Sequence, residues 1–177
     1  MLNARPILLL LLCITLSGCG IKLNPFAKTP PQATKAQPPT VEAPQPPPPP
    51  PTEISASIST STEANPDNSG RPSPLVVRIY ELKDLGAFDA ADFNTLFRED
   101  TGALGSDLVH REEYHMLPGT QRSYHRKPPA ETRYLAVMAG YRKINQAIWK
   151  ASVPIPPDQT SHITILMDAL SISIQNN

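Results

Sequence analysis

The chain has 177 residues, of which 22 are proline, about 12% against an average near 5% in proteins. Twelve prolines lie between Pro25 and Pro51, a density that excludes helix interiors and central strands there, and so excludes a single globule. Sixteen basic and sixteen acidic residues give a formal net charge of zero. The chain therefore lacks the basic excess of a nucleic-acid-binding protein.

Residues 1–18 have the pattern of a secretory signal peptide. Arg5 precedes an apolar run from Ile7 to Leu16, which is too short to span a bilayer, since that takes about 20 residues. The run ends in Leu16-Ser-Gly-Cys19, which resembles a bacterial lipobox. The resemblance implies that Cys19 becomes the first mature residue and carries a covalent lipid. By resemblance to enterobacterial sorting rules, Gly20 favours the outer membrane.

Residues 19–51 predict a lipidated, Pro-rich tether. Six consecutive prolines run from Pro46 to Pro51, and the segment buries too little apolar surface to offset its chain entropy. We expect a solvated chain, largely polyproline II, that reaches up to about 100 Å at ~3.1 Å per residue. A PxxP ligand for an aromatic groove is the alternative, although such grooves are mostly eukaryotic.

Residues 52–177 predict a folded domain that begins with two strands. Glu53–Thr60 alternates isoleucine and alanine with serine, the period of a strand buried on one face. Residues 63–74 are rich in turn formers and lack apolar periodicity, which indicates a loop. Leu75–Leu82 is apolar on both faces, as in a strand covered on both sides.

A short helix is predicted after the second strand. Phe93, Leu96 and Phe97 lie at i, i+3 and i+4 and form one apolar face, with Asp89 as the expected cap. Gly102 and Gly105 then indicate a loop.

The remaining residues predict further strands. They are 108–117, 121–126, 133–141, 147–155 and 162–174. We expect the last strand to bend or change sheets between Asp168 and Ser171. Six or seven strands with one inserted helix predict an all-β fold, a two-sheet antiparallel sandwich.

One segment resembles a catalytic motif but has the wrong spacing. A zinc-protease motif needs two histidines four apart on a helix, whereas His110 and His115 are five apart on a predicted strand and should face opposite ways. The chain has no Gly-x-Ser-x-Gly, phosphate-loop or dinucleotide motif. We therefore expect no catalytic residue, no metal site, no enzyme activity, and no cofactor other than the lipid on Cys19.

Seven short motifs follow one another from residue 77 to residue 150. They are Val77-Arg-Ile-Tyr-Glu-Leu-Lys-Asp84, Phe88-x-x-Ala-Asp-Phe93, Leu104-Gly-x-Asp-Leu108, Pro118-Gly119, Arg133-Tyr-Leu-Ala-Val137, Tyr141-Arg142 and Trp149-Lys150. Their order and spacing resemble the TssJ family, the outer-membrane lipoproteins of bacterial type VI secretion systems. The resemblance covers about residues 53–174 and implies a transthyretin-like sandwich with additional helical elements.

The resemblance also implies a partner and a binding site. Family members bind the periplasmic C-terminal part of the inner-membrane protein TssM, through the loop that joins the first two strands. The corresponding positions in this chain are Asn65, Pro66, Asp67, Asn68, Ser69, Gly70, Arg71 and Pro72. Prolines stiffen this loop, which lowers the ordering entropy of binding. An ordinary surface loop is the alternative.

The sequence thus predicts a lipoprotein anchored to the periplasmic face of the outer membrane, which docks a type VI secretion membrane complex by binding TssM. We expect no nucleic acid and no small-molecule substrate as partners. The alternative is a sandwich lipoprotein that binds peptidoglycan or a small molecule through its basic tether and Trp149. Trp149 and Tyr141 could form an aromatic patch, although such residues are more often part of the core.

Overall fold

The structure is a computed structural model and describes residues 47–177. The predicted signal peptide, Cys19 and most of the predicted tether lie outside these residues, and residues 47–51 are exposed without regular structure. Within the described part, no helix is long and apolar enough to cross a membrane.

Eight strands and two α-helices make up the described residues. The strands are β1 (Glu53–Thr60), β2 (Leu75–Leu82), β3 (Leu108–Met116), β4 (Gln121–Arg126), β5 (Tyr134–Ala139), β6 (Lys150–Pro154), β7 (Thr160–Met167) and β8 (Ile172–Asn176). The helices α1 (Gly86–Ala90) and α2 (Phe93–Leu104) lie between β2 and β3. Short 3-10 turns occupy Gly105–Asp107 and Ile144–Gln146.

The strands form two four-stranded sheets, so the predicted all-β sandwich is confirmed. Sheet A has the order β4-β1-β7-β8, and sheet B has the order β3-β2-β5-β6. One pair differs from the expected antiparallel arrangement, because β1 runs parallel to β7. These two strands are separated by about 100 residues of chain, and a long connection does not impose the antiparallel pairing that a hairpin does.

The core lies between the two sheets and follows from the period-two pattern of the strands. Ile54, Ala56 and Ile58 of β1 are at most 2% exposed, and they pack with alternate residues of β7 and with the inner faces of β2 and β5. Each fully buried isoleucine of this kind stabilises the fold by about 1.5–3 kcal/mol. The alternation predicted for β1 is therefore confirmed.

Sheet B is covered on its outer face as well. Tyr80 and Leu82 of β2 and Ala136 and Met138 of β5 are buried against the two helices, in a second apolar cluster that includes Phe88. The predicted burial of both faces of these strands is confirmed, since helices occupy the second face.

The cap predicted for the helix was wrong. Asp92, not Asp89, is the N-cap of α2, and its side chain accepts a hydrogen bond from Thr95 N at 3.0 Å. Asp89 lies inside the short helix α1. The predicted loop at Gly102 was also wrong, because α2 continues to Leu104 after a kink at Glu99.

The predicted last strand is a hairpin of two strands, β7 and β8. The chain reverses at residues 168–171, where Asp168 N donates to Ser171 O at 2.8 Å. Ile163 and Ile165 before the turn and Ile172 after it are all buried. The strand is therefore interrupted where a bend or a change of sheets was predicted, but both halves stay in one sheet, and the apolar residues on both sides of the turn do not reveal the reversal.

A charged cluster fixes α2 on sheet B. The Asp100 carboxylate accepts hydrogen bonds from Arg111 Nε at 2.6 Å, Tyr80 OH at 3.1 Å and Arg78 Nη1 at 3.2 Å. Burial opposes ionisation of Asp100, but its hydrogen bonds and the charge of Arg111 prevail, so its pKa lies below the ordinary value. The helix is therefore anchored through ionised side chains.

A buried carboxylate also links the two sheets. Glu81 of β2 is fully buried, and its Oε1 accepts hydrogen bonds from Tyr124 OH at 2.7 Å and Arg126 Nε at 2.9 Å. Both partners belong to β4 of sheet A. Burial and the neighbouring carboxylate raise the pKa of Tyr124 far above its ordinary value.

The connections between strands divide between two ends of the sandwich. At the end where β1 begins, which we call the tether end, residues 47–52 enter and β8 ends. At the opposite end, which we call the loop end, β1 is followed by residues 61–74. The register of the strands places the connections 117–120, 140–149 and 168–171 at the loop end too.

Candidate protein-interaction site

The β1–β2 loop, residues 61–74, is held at its base by Asn65. This residue is 1% exposed and has a φ of 54°, a left-handed conformation that asparagine tolerates better than most residues. Its Nδ2 donates to Pro74 O at 2.7 Å, and its Oδ1 accepts from Arg142 N at 2.8 Å. Its backbone N–H donates to Ala169 O at 3.0 Å. Asn65 therefore joins the loop to two other connections of the loop end.

The tip of the loop is folded around Asp67. Its Oδ1 accepts backbone hydrogen bonds from Ser69 N at 2.8 Å and Arg71 N at 3.0 Å. Its Oδ2 accepts from the Arg71 side chain, with both Nε and Nη2 at 2.9 Å. The hydrogen bond from the Arg71 backbone is the main reason that the pKa of Asp67 is lowered. The carboxylate thus stabilises an Asx-type turn.

The predicted partner-binding residues divide into two groups. Asn65 and Asp67 fold the loop, and Pro66 is half-buried beside them. The remaining five residues, 68–72, are exposed at the tip, and the Arg71 side chain is 79% exposed. Gly70 has a φ of 77°, which favours glycine. That these eight residues bind a partner stays a prediction. Among them, residues 68–72 are the ones exposed enough to contact one.

A polar concavity lies beside the tip. It has a volume of about 400 Å³ and is lined by Asp67, Asn68, Ser69, Arg71 and Arg142. No sequence pattern places Arg142 there, because it is 77 residues from Asn65 along the chain. The one sequence feature that singles out Arg142 is its place next to Tyr141 in a motif that resembles the family. The hydrogen bond from its backbone to Asn65 brings it to the site.

The two histidines of the apparent protease motif do not form a site. The β3 register pairs His110 with Glu81 and His115 with Val76, which lie on opposite faces of β2. His110 Nε2 lies 3.2 Å from Glu112 Oε1. Among the described residues, no group of three or more potential ligands is arranged to hold a metal ion.

The two aromatic residues of the alternative interpretation have packing roles. Tyr141 is 3% exposed, and its OH donates to Ser171 O at 2.7 Å. The half-buried Trp149 ring makes an edge-on contact with Phe93 at 5.4 Å, and Lys150 Nζ lies 4.9 Å from its centroid. Tyr141 and Trp149 therefore both have contacts within the domain that explain their positions.

Comparisons with known proteins connect this fold to one family. Residues 52–170 match the family model T6SS-SciN, described as type VI secretion lipoprotein, VasD, EvfM, TssJ, VC_A0113. The crystal structure of the T6SS lipoprotein TssJ1 from Pseudomonas aeruginosa is 34% identical, with a TM-score of 0.70, and the match covers 72% of this chain and 98% of that one. No curated protein gives a significant match.

Two further solved structures share the fold. Serratia marcescens Lip, a membrane-bound component of the type VI secretion system, is 21% identical with a TM-score of 0.66, covering 72% of this chain and 98% of that chain. A structure described as the T6SS protein TssM C-terminal domain from EAEC contains a matching chain with 22% identity and a TM-score of 0.58. That match covers 70% of this chain and 98% of the other.

Proposed function

The chain belongs to the type VI secretion lipoprotein family that includes TssJ, and from this premise we propose that it anchors a type VI secretion membrane complex by binding TssM. Family membership makes it a membrane-associated lipoprotein of the secretion system. The proposal adds that the lipid is on Cys19, that the anchor is in the outer membrane, and that the domain faces the periplasm. The protein acts by binding, without enzyme activity and without a cofactor beyond the lipid.

The likeness to a chain in the structure named for the TssM C-terminal domain supports TssM as the partner. The proposed site is the tip of the β1–β2 loop, residues 68–72. This tip is exposed and held in one conformation by Asp67 and Asn65. A loop that is ordered before binding loses less conformational entropy when it binds.

One observation carries the proposal: the tether and the candidate loop are attached to the two ends of the same strand. β1 begins at Glu53, next to the tether, and ends at Thr60, where the loop begins. It lies between β4 and β7, with six register pairs on one side and eight on the other. A pull between a partner on the loop and a lipid on the tether therefore acts along a strand that is held on both sides.

The loop is tested by removing the exposed side chains of the tip. The variant Asn68→Ala/Ser69→Ala/Arg71→Ala leaves Asp67 in place. We expect its affinity for the periplasmic C-terminal domain of TssM to fall by about tenfold or more, as for central residues of an interface. Isothermal titration calorimetry with the mature lipoprotein in detergent measures this. The control is Arg98→Ala/Ser173→Ala/Gln175→Ala, which removes exposed side chains of similar chemistry elsewhere. Unchanged affinity in the tip variant would exclude the loop.

The anchor is tested by Cys19→Ser. Without a thiol to acylate, the protein should leave the membrane fraction, and secretion of a type VI substrate should be lost. Cys13→Ser is the matched control, because Cys13 lies in the predicted signal peptide and should not affect either result. A Cys19→Ser protein that stays in the outer membrane and supports secretion would contradict the proposed lipid anchor.

A further inference from the structure

The β1–β2 loop is part of a larger surface built from four hydrogen-bonded connections. Asn65 joins it to the connections that contain Arg142 and Ala169. Gly119 N donates to Thr60 O at 3.1 Å, which fixes the β3–β4 turn against the start of the loop. We call this the four-loop surface. It comprises residues 61–74, 117–120, 140–149 and 168–171.

The same surface carries two exposed apolar side chains. Leu117 is 57% exposed in the β3–β4 turn, and Ile148 is 63% exposed in the β5–β6 connection. Ile148 is held by its backbone, since its N–H donates to Leu170 O at 2.9 Å. Single exposed apolar residues are common and need no explanation. These two, however, lie on one ordered surface, on connections that are bonded to the candidate loop.

Arg142 adds to this surface a positive charge that has no partner among the described residues. Its side chain is exposed and makes no hydrogen bond or ion pair with the rest of residues 47–177. The nearby carboxylate of Asp67 is already occupied by Arg71 and by backbone N–H groups. A partner's carboxylate is therefore the group that fits beside Arg142, because it accepts charge-assisted hydrogen bonds from the guanidinium.

The size of the tip also argues for a wider contact. A stable interface uses about 20–30 residues of each protein, whereas the exposed tip has residues 68–72 alone. The four connections together comprise 32 residues, of which all but Ala64, Asn65, Ser73 and Tyr141 are at least partly exposed, and this is enough for that requirement. The hydrogen bonds between them hold this area in one arrangement before any partner binds.

We propose that the four-loop surface is one recognition site, on which Leu117 and Ile148 contact apolar side chains of the partner and Arg142 binds a partner carboxylate. The partner chemistry is thus an acidic residue flanked by apolar residues on a folded protein. The inference rests on the proposed function, because it takes the periplasmic C-terminal domain of TssM as that partner.

Two variants test the new part of the surface. Leu117→Ser/Ile148→Ser removes the apolar contacts, and Arg142→Ala removes the cation. We expect each to weaken binding of the TssM periplasmic domain about tenfold, measured by calorimetry with the mature lipoprotein in detergent. All three side chains are exposed, so the melting temperature should stay close to that of the unaltered protein.

Matched controls come from exposed residues outside the four-loop surface. Leu166→Ser changes a leucine that is 40% exposed on the outer face of β7, and Arg98→Ala changes an exposed arginine of α2. Both should bind within about twofold of the unaltered protein. If either test variant binds as tightly as its control while the tip variant is weakened, the inference is wrong and the loop remains the site. If the tip variant binds normally and both test variants are weakened, the loop tip is not the binding site and the wider surface is supported. If every variant binds normally, the loop tip and the four-loop surface are both excluded as binding sites.

Discussion

The loop end and the helix-covered face of sheet B are stabilised in different ways. On sheet B, α2 is fixed by side chains of the sheet. Arg78, Tyr80 and Arg111 bond to Asp100, and Arg78 also donates to the α2 carbonyls of residues 96 and 97. At the loop end, the bonds end on backbone groups, either from a side chain, as from Asn65 Nδ2 to Pro74 O, or from another backbone N–H, as from Gly119 to Thr60 O. Side-chain contacts fix the position of a helix, whereas bonds to backbone groups fix the course of a loop. The loop end therefore presents an ordered surface although it has no regular secondary structure.

The largest effect should come from breaking the helix anchor. Asp100→Ala leaves Arg78, Arg111 and the buried Tyr80 hydroxyl without their shared acceptor. We expect the free energy of unfolding to fall by about 3 kcal/mol, typical of removing one partner of a buried charged pair. Urea denaturation measures it, with the exposed neighbour Glu99→Ala as the control. TssM binding by the folded protein should be unchanged; a large loss of affinity would mean that the two regions are coupled.

A smaller loss of stability should come from removing the Asn65 side chain at the base of the loop. Asn65→Gly tolerates the φ of 54° but removes the hydrogen bonds to Pro74 O and Arg142 N. Because each bond contributes about 0.5–1.5 kcal/mol, we expect a destabilisation of about 2 kcal/mol. Amide hydrogen exchange should increase in residues 61–74 and 140–149 and stay unchanged in α2. Equal protection in both proteins would show that Asn65 does not order the loop.

The smallest effect should be a local change at the tip in acid. The pKa of Asp67 is held below its ordinary value of 3.8, so its contribution to loop stability is present above that value and is lost as the pH falls through the lowered pKa. The backbone amide signals of Ser69 and Arg71 should therefore shift in NMR spectra with a midpoint below 3.8. A midpoint at or above 3.8 would contradict the hydrogen bonds assigned to Asp67.

The period-two patterns of the sequence were sufficient for most of the strands. Ile54, Ala56 and Ile58 identified β1 because burial of one strand face repeats every second residue. The break between β7 and β8 lies at residues 168–171, where a bend or a change of sheet was predicted, but the reversal within one sheet was not, because apolar residues continue on both sides of it. The parallel pairing of β1 with β7 was also missed, since strand pairing over such a separation depends on the whole fold and leaves no local signal.

The turn-forming residues predicted the loop, and the resemblance to the family made it the candidate site, but the roles of the residues within it needed the structure. Asn65 and Asp67 look like recognition groups in the sequence because both are polar and lie in a loop. In the structure they are engaged in folding that loop. Arg142 belongs to the site through a hydrogen bond across 77 residues of chain, which no sequence spacing predicts. The polar residues that hold the loop, Asn65 and Asp67, are distinguished from the tip residues 68–72 by their lower exposure, which the sequence does not show.

Site-specific photo-crosslinking in the bacterial envelope shows which end of the domain contacts TssM. A photoreactive amino acid at position 68, on the exposed loop tip, is compared with the same group at position 175, on the exposed strand β8. We expect a crosslink between position 68 and TssM and none from position 175. A crosslink to TssM from position 175 alone would contradict the placement of the partner at the loop end.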